Sequence, residues 1–116
     1  MNTDINFDVA ETDRDGAAVL AVQGEVDIST APELRERLLA LAERGTTVAV
    51  VDLSEVSFVD STALGALVSG VKRLRNAGGD LRLVVTQPRI TKVFEITGLT
   101  DVFHIFASAD EAVRAQ

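Results

Sequence analysis

Residues 46–54, TTVAVVDLS, are apolar and largely β-branched with little interruption. A strand with one wetted face alternates apolar and polar side chains, so a near-continuous run marks a strand covered on both faces, as in a parallel sheet packed between helices. The segments on either side of it have helical periodicity. Before it, Leu34, Leu38 and Leu41 share one face, Arg35, Glu36 and Arg37 turn away, and Gly45 is placed to end the helix. After it, Leu64, Leu67, Val68, Val71 and Leu74 form a stripe closed by Gly78 and Gly79. Helix, buried strand and helix in succession require crossover connections, which are right-handed where they join parallel strands.

The remaining segments extend this pattern. INFDVAE (5–11) places Ile5, Phe7 and Val9 on one side of a half-buried strand, Asp13 to Gly16 carries turn chemistry, and AAVLAVQG (17–24) reads as a second strand. These two could pair as a hairpin at the sheet edge. Thr30 and Glu33 have the spacing of a capping box, with Pro32 in the first helical turn where its missing N–H is tolerated. LRLVV (81–85) is another buried strand. Pro88 opens a short helix with Ile90, Val93 and Phe94 inward and Gly98 past its end, VFHIF (102–106) is a short strand, and Ser108 with Glu111 repeats the capping-box spacing before a last helix. The expected fold class is α/β: one mixed, mostly parallel sheet of four to five strands flanked by about four helices. At 116 residues, without repeat or linker, residues 1–116 are expected to form a single domain.

Charge and composition exclude several functions. Eighteen acidic against eleven basic residues give a net charge of -7, and no basic cluster is present to neutralise nucleic-acid phosphates or to hold an anionic lipid surface. A basic patch on a protein partner remains compatible. The absence of cysteine excludes disulfides, thiolate nucleophiles and Cys-based metal sites. The start, MNTDINFDVAETDRDG, has neither a basic leader nor an apolar run, and the longest strongly apolar uncharged stretch, Ser61 to Val71, is too short to span a bilayer. A cytoplasmic protein is expected.

Catalytic schemes fail on their minimum requirements. His104 is the only histidine and sits between Phe103 and Ile105, where a satisfied or exposed strand histidine is the plain reading; the turn DSTALG is not a G-x-S-x-G elbow. GALVSGVKR has two glycines at phosphate-loop distance, but Val71 separates Gly70 from Lys72, and the stretch lies within a helix. The scattered carboxylates make no metal site, and no cofactor motif is present. What remains is Asp60, Ser61 and Thr62 at the entry to the second long helix. Asp, Ser and Thr are favoured N-caps, so one of them could serve only the orphan helix amides. A cap needs one such residue, and three stand here beside the carboxyl ends of parallel strands, the edge where open α/β sheets place ligand and partner sites.

The string DLSEVSFVDSTALGALV (52–68) resembles the signature of the STAS family, the domain of bacterial anti-sigma-factor antagonists. The likeness extends over essentially the whole chain, through GEVD (24–27), TAPELR (30–35), AGG (77–79) before LRLVV, and ITGLTDVF (96–103). The resemblance implies that the first serine after the aspartate, Ser61, is a phosphorylation site, with Thr62 as a second candidate because Thr62-Ala63 stands where relatives often have Ser-Gly. It implies a partner-binding surface of Asp27, Ser29, Thr30, Asp60, Ser61, Thr62 and Gly65. It also implies the partners: an anti-sigma factor with serine kinase activity, which the unphosphorylated form binds to free a sigma factor, and a PP2C-type phosphatase that resets the switch. Monomer or weak dimer is expected, the first strand offering a short edge for self-contact. A second reading stands beside this one: a constitutive STAS adaptor subunit of a transporter or stress-signalling scaffold complex, never phosphorylated. The Asp60–Ser61 pair favours the switch.

Overall fold

A computed structural model describes residues 6–115; Ile5 lies outside the described residues. β1 (Phe7–Arg14) and β2 (Ala17–Val26) form an antiparallel hairpin whose two-residue loop is Asp15-Gly16. Both loop residues have positive φ, 56° and 88°. This is the turn whose twist matches that of the flanking strands, and an Asp-Gly pair adopts it most readily. Asp13 Oδ1 accepts a hydrogen bond from the Gly16 amide at 3.2 Å and closes the turn.

From β2 onward strands and helices alternate: α1 (Ala31–Glu43), β3 (Val48–Val59), α2 (Ser61–Asn76), β4 (Asp80–Val84), α3 (Pro88–Ile96), a 3-10 turn (Leu99–Asp101), β5 (His104–Phe106) and α4 (Ala109–Arg114). The sheet order is β1-β2-β3-β4-β5, with β1 antiparallel and the other neighbours parallel. The five-stranded mixed sheet with four helices is the architecture expected from the alternation.

Two apolar clusters hold the layers together. Leu20, Leu53 and Leu83 of the sheet meet Leu34 and Leu38 of α1, Leu67 and Leu74 of α2 and Phe94 of α3, all fully buried. On the opposite face, Val19, Val50 and Val84 pack under Ala112 of α4. The central strand is therefore apolar on both faces only where α4 reaches. Gly70 of α2 faces α1 so closely that an added Cβ would come within 2.6 Å of Leu38 Cδ1, and the missing side chain sets how near the two helices approach.

Two local expectations are corrected. β3 does not end near Ser54 but runs to Val59, seven residues past its last pairing with β4, Asp52 with Val84. The polar residues that interrupt its pattern are accommodated locally: Asp52 Oδ1 accepts from both the amide (3.0 Å) and the hydroxyl (2.7 Å) of Ser54. The Thr30–Glu33 capping box does not form, since Thr30 makes no side-chain cap to α1. Its hydroxyl is engaged one turn upstream, as described below. The Ser108 cap does form, accepting from the Glu111 amide at 3.1 Å.

Candidate functional site

β2 and β3 end side by side, Val26 paired with Val59, and the Asp60 amide donates to the Val26 carbonyl at 3.2 Å. This bond brings the two outgoing turns together at the carboxyl edge of the sheet. One turn carries Asp27 to Thr30 and the other Asp60 to Thr62.

In the first turn Asp27 Oδ1 accepts from the amides of Ser29 (2.9 Å) and Thr30 (3.2 Å), while Thr30 Oγ1 accepts from the Asp27 amide (2.9 Å). That reciprocal exchange is the capping-box geometry, placed three residues earlier than the Thr30–Glu33 spacing suggested. The Thr30 hydroxyl completes its bonding by donating to the Glu25 carbonyl at 2.9 Å. Asp27 and Thr30, two of the residues singled out for partner binding, thus have a structural task. Ser29 is exposed, and between it and Asp27 stands Ile28, 73% exposed on this hydrogen-bonded turn. The sequence reading missed Ile28 because it continues the alternation of Val26 and looks like the end of a strand.

In the second turn Asp60 is the N-cap of α2, its Oδ1 accepting from the Ala63 amide at 2.9 Å. The cap function that Asp, Ser and Thr could share therefore falls to Asp60. Ser61 and Thr62 are the first two helical residues, both exposed, and their amides belong to the first turn, which has no intrahelical acceptors. The Ser61 hydroxyl stands in solvent at the positive end of a sixteen-residue helix, a place that favours an anionic group.

Thr62 also borders a groove of about 410 Å³ between α1 and α2, lined by Ala31, Pro32, Arg35, Glu36, Thr62, Gly65, Ala66 and Ser69. The helical periodicity alone assigns Arg35 and Glu36 to the solvent face of α1, whereas both line this groove. Gly65 opens this groove on the α2 side.

His104, the residue that catalytic schemes would have needed, lies at the opposite end of the sheet. Its Nδ1 is 3.2 Å from Asp80 Oδ2, at the amino end of β4, and Arg75 Nε donates to the other Asp80 oxygen at 2.8 Å. Burial pushes the Asp80 carboxyl up, but bonds from Arg75, the Leu81 amide and His104, with the Arg75 charge, outweigh it and hold the group below its ordinary value. This is a structural ion cluster remote from Ser61. Among the described residues no three His, Asp or Glu side chains gather as a metal site, and no helix is long and apolar enough to cross a membrane.

A sequence model of the STAS domain matches residues 7–112. The chain belongs to the STAS domain family. STAS relatives over nearly its whole length include the anti-sigma-B factor antagonist of Bacillus subtilis (strain 168), 39% identical over 110 residues that cover 95% of this chain and 98% of the relative. The anti-sigma-B factor antagonist of Staphylococcus aureus (strain NCTC 8325 / PS 47) is 38% identical over 101 residues, covering 87% and 94%. Among solved structures, an anti-sigma factor antagonist from Mycobacterium paratuberculosis superposes with a TM-score of 0.86 at 30% identity, covering 94% of this chain and 92% of that one. All three of these STAS relatives are named as anti-sigma factor antagonists.

Within this STAS frame Gly65 has a testable peculiarity. An added Cβ there would meet nothing within 4 Å, so packing does not require glycine, and glycine inside a helix is less stable than alanine by about 0.8–1.0 kcal/mol. Gly65→Ala is expected to raise unfolding free energy by about that amount, read from the urea midpoint at unchanged slope. A loss of stability would show that the position is packed rather than open.

Proposed function

We propose that this STAS protein is a cytoplasmic, single-domain anti-sigma-factor antagonist. Its unphosphorylated form binds an anti-sigma factor with serine kinase activity and so frees a sigma factor. Transfer of phosphate to Ser61 ends the binding, and a PP2C-type phosphatase restores it. The observation that carries the reading is the exposed Ser61 hydroxyl at the first position of α2, next to an aspartate that already caps the helix. Because Asp60 serves the amides, Ser61 has no capping duty and its oxygen is available to a kinase. Asp27, Ser29, Thr30, Asp60, Thr62 and Gly65 form the surrounding contact surface in this reading, with Ile28 and the α1–α2 groove added to it.

Charge supports a basic partner face: Asp27 and Asp60 lie on the two turns, Glu33 in the first turn of α1 and Glu36 in the groove, with Arg35 the counter-charge there. The test begins by purifying the anti-sigma factor kinase from the source organism on the immobilised chain. That kinase is then incubated with the chain, ATP and Mg2+, and intact mass is measured. One added phosphate (about 80 Da, the mass of HPO3), mapped to Ser61 and absent from Ser61→Ala, is the expected result. Phosphate on Thr62 alone would move the switch by one residue. Stable binding with no phosphate on either hydroxyl would replace the switch with the constitutive adaptor.

A further inference from the structure

The last seven residues of β3, Leu53 to Val59, carry Asp60 and Ser61 outward past the end of β4. On the β2 side their ladder is irregular, with register shifts between Ala21 and Gln23 and between Gly24 and Glu25. On the β4 side no strand continues among the described residues. Ser54 and Val56, two residues apart, present their carbonyls to the same edge, and one side chain takes both. Gln87 Nε2 donates to the Ser54 carbonyl at 2.9 Å and to the Val56 carbonyl at 2.8 Å.

Gln87 is itself firmly held. It is the N-cap residue of α3, its own carbonyl accepts from the amides of Ile90 and Thr91, both at 3.0 Å, and Pro88 follows it. The buried Ile90 and Phe94 anchor α3 in the main core. The amide of Gln87 therefore links a core-anchored helix to the strand end that presents Ser61. A side chain substitutes for the two ladder bonds that a longer β4 would have supplied.

We infer that Gln87 is a positioning residue for the switch: by pinning the outer half of β3 it fixes where the Asp60–Ser61 turn stands toward the partner. It is 26 positions from Ser61 in sequence (87 against 61) and need not touch the kinase. The inference rests on the switch reading for its consequence, but its structural half is testable without any partner.

Gln87→Met keeps a side chain of similar length and removes both donors. In amide hydrogen exchange followed by NMR, exchange at residues 53–61 is expected to rise about tenfold or more, while Val50 and Val51, deep in the sheet, stay within about twofold of wild type. With the purified anti-sigma factor kinase, affinity for the unphosphorylated chain and the rate of Ser61 phosphorylation should both fall about tenfold at 25 °C. A control of matched stability loss, Val19→Ala under α4, should leave both unchanged.

Unchanged local exchange in Gln87→Met, or acceleration spread equally over all strands, overturns the pinning. Faster local exchange with unaltered affinity and phosphorylation overturns its role in presentation. A wild-type chain that the kinase neither binds nor modifies defeats the switch reading instead, and the exchange pattern still decides whether Gln87 holds β3.

Discussion

Phosphorylation of Ser61 is expected to weaken the partner complex at least a hundredfold while leaving the backbone nearly where it is. The structure allows the two effects to be separated. Ser61 is exposed at the first position of α2, and among the described residues its hydroxyl makes no hydrogen bond that modification would break. A phosphate at a helix N-terminus is stabilised by about 0.3 to 1 kcal/mol, and the Asp60 carboxylate beside it acts in the opposite sense, so the fold should neither gain nor lose much. Release must then arise in the interface. A hundredfold loss of affinity corresponds to about 2.8 kcal/mol, and an uncompensated charge enclosed between two proteins costs about 3 to 5 kcal/mol, by analogy with a broken buried pair. The second quantity exceeds the first, so no conformational change is needed. Titration calorimetry of both forms against the purified kinase, with amide chemical shifts recorded on each free form, checks the claim. Shift changes should centre on residues 27–30 and 60–66. A phosphorylated form that binds within tenfold of the unmodified one, or shifts that spread through β1 and β5, would contradict it.

The parts of this protein that were legible in its sequence are those decided by local chemistry or by strict periodicity. The Asp15-Gly16 hairpin is fixed by two positive φ values that few residue pairs adopt. The three-helix face follows from apolar residues at helical spacing, leucines in α1 and α2 and Ile90, Val93 and Phe94 in α3, and the buried centre of β3 from its apolar run. What was not legible depended on neighbours distant in sequence. Two capping boxes could be written with Thr30 as a member, Asp27–Thr30 and Thr30–Glu33. The choice between them is made by the Glu25 carbonyl at the end of β2, which accepts the Thr30 hydroxyl and so commits it to the earlier turn. The length of β3 was hidden because Asp52, Ser54, Glu55 and Ser57 break its apolar pattern. Asp52, still paired with Val84 of β4, is tolerated because it accepts from the Ser54 amide and hydroxyl, and the residues after it because the strand there has passed the end of β4 and Gln87, far along the chain, supplies donors to its carbonyls. At the site, the run Asp60-Ser61-Thr62 was visible, but which residue caps was not. With Asp60 Oδ1 on the Ala63 amide, Ser61 is left unencumbered.

Gly24→Ala is expected to destabilise the protein by about 3 kcal/mol, opposite in sign to the same exchange at Gly65. Gly24 sits at one of the register shifts between β2 and β3 with φ of 98°, a conformation that costs an L residue about 1 to 3 kcal/mol. Its added Cβ would lie 1.9 Å from the Asn6 carbonyl oxygen and 2.9 Å from the Phe7 nitrogen. Both are backbone atoms that cannot swing aside as a side chain could. The Asn6 carbonyl is also held in place, accepting from the Glu25 amide at 2.7 Å. Relieving the clash means giving up that bond, a further net loss of about 0.5 to 1.5 kcal/mol. Against a typical total of about 5 to 15 kcal/mol the damage is large but leaves a measurable folded state. The consequences should extend to the site, because the next residue, Glu25, offers the carbonyl that seats Thr30, and Thr30 completes the Asp27 turn. Urea unfolding of Gly24→Ala and Gly65→Ala beside wild type gives both signs in one series, and amide exchange at Asp27 to Thr30 should accelerate only in the first. A Gly24→Ala protein within 1 kcal/mol of wild type, a threshold set below the strain and bond terms together, would mean that the start of β1 moves away freely. The bulge would then have no part in holding the Asp27 turn beside Ser61.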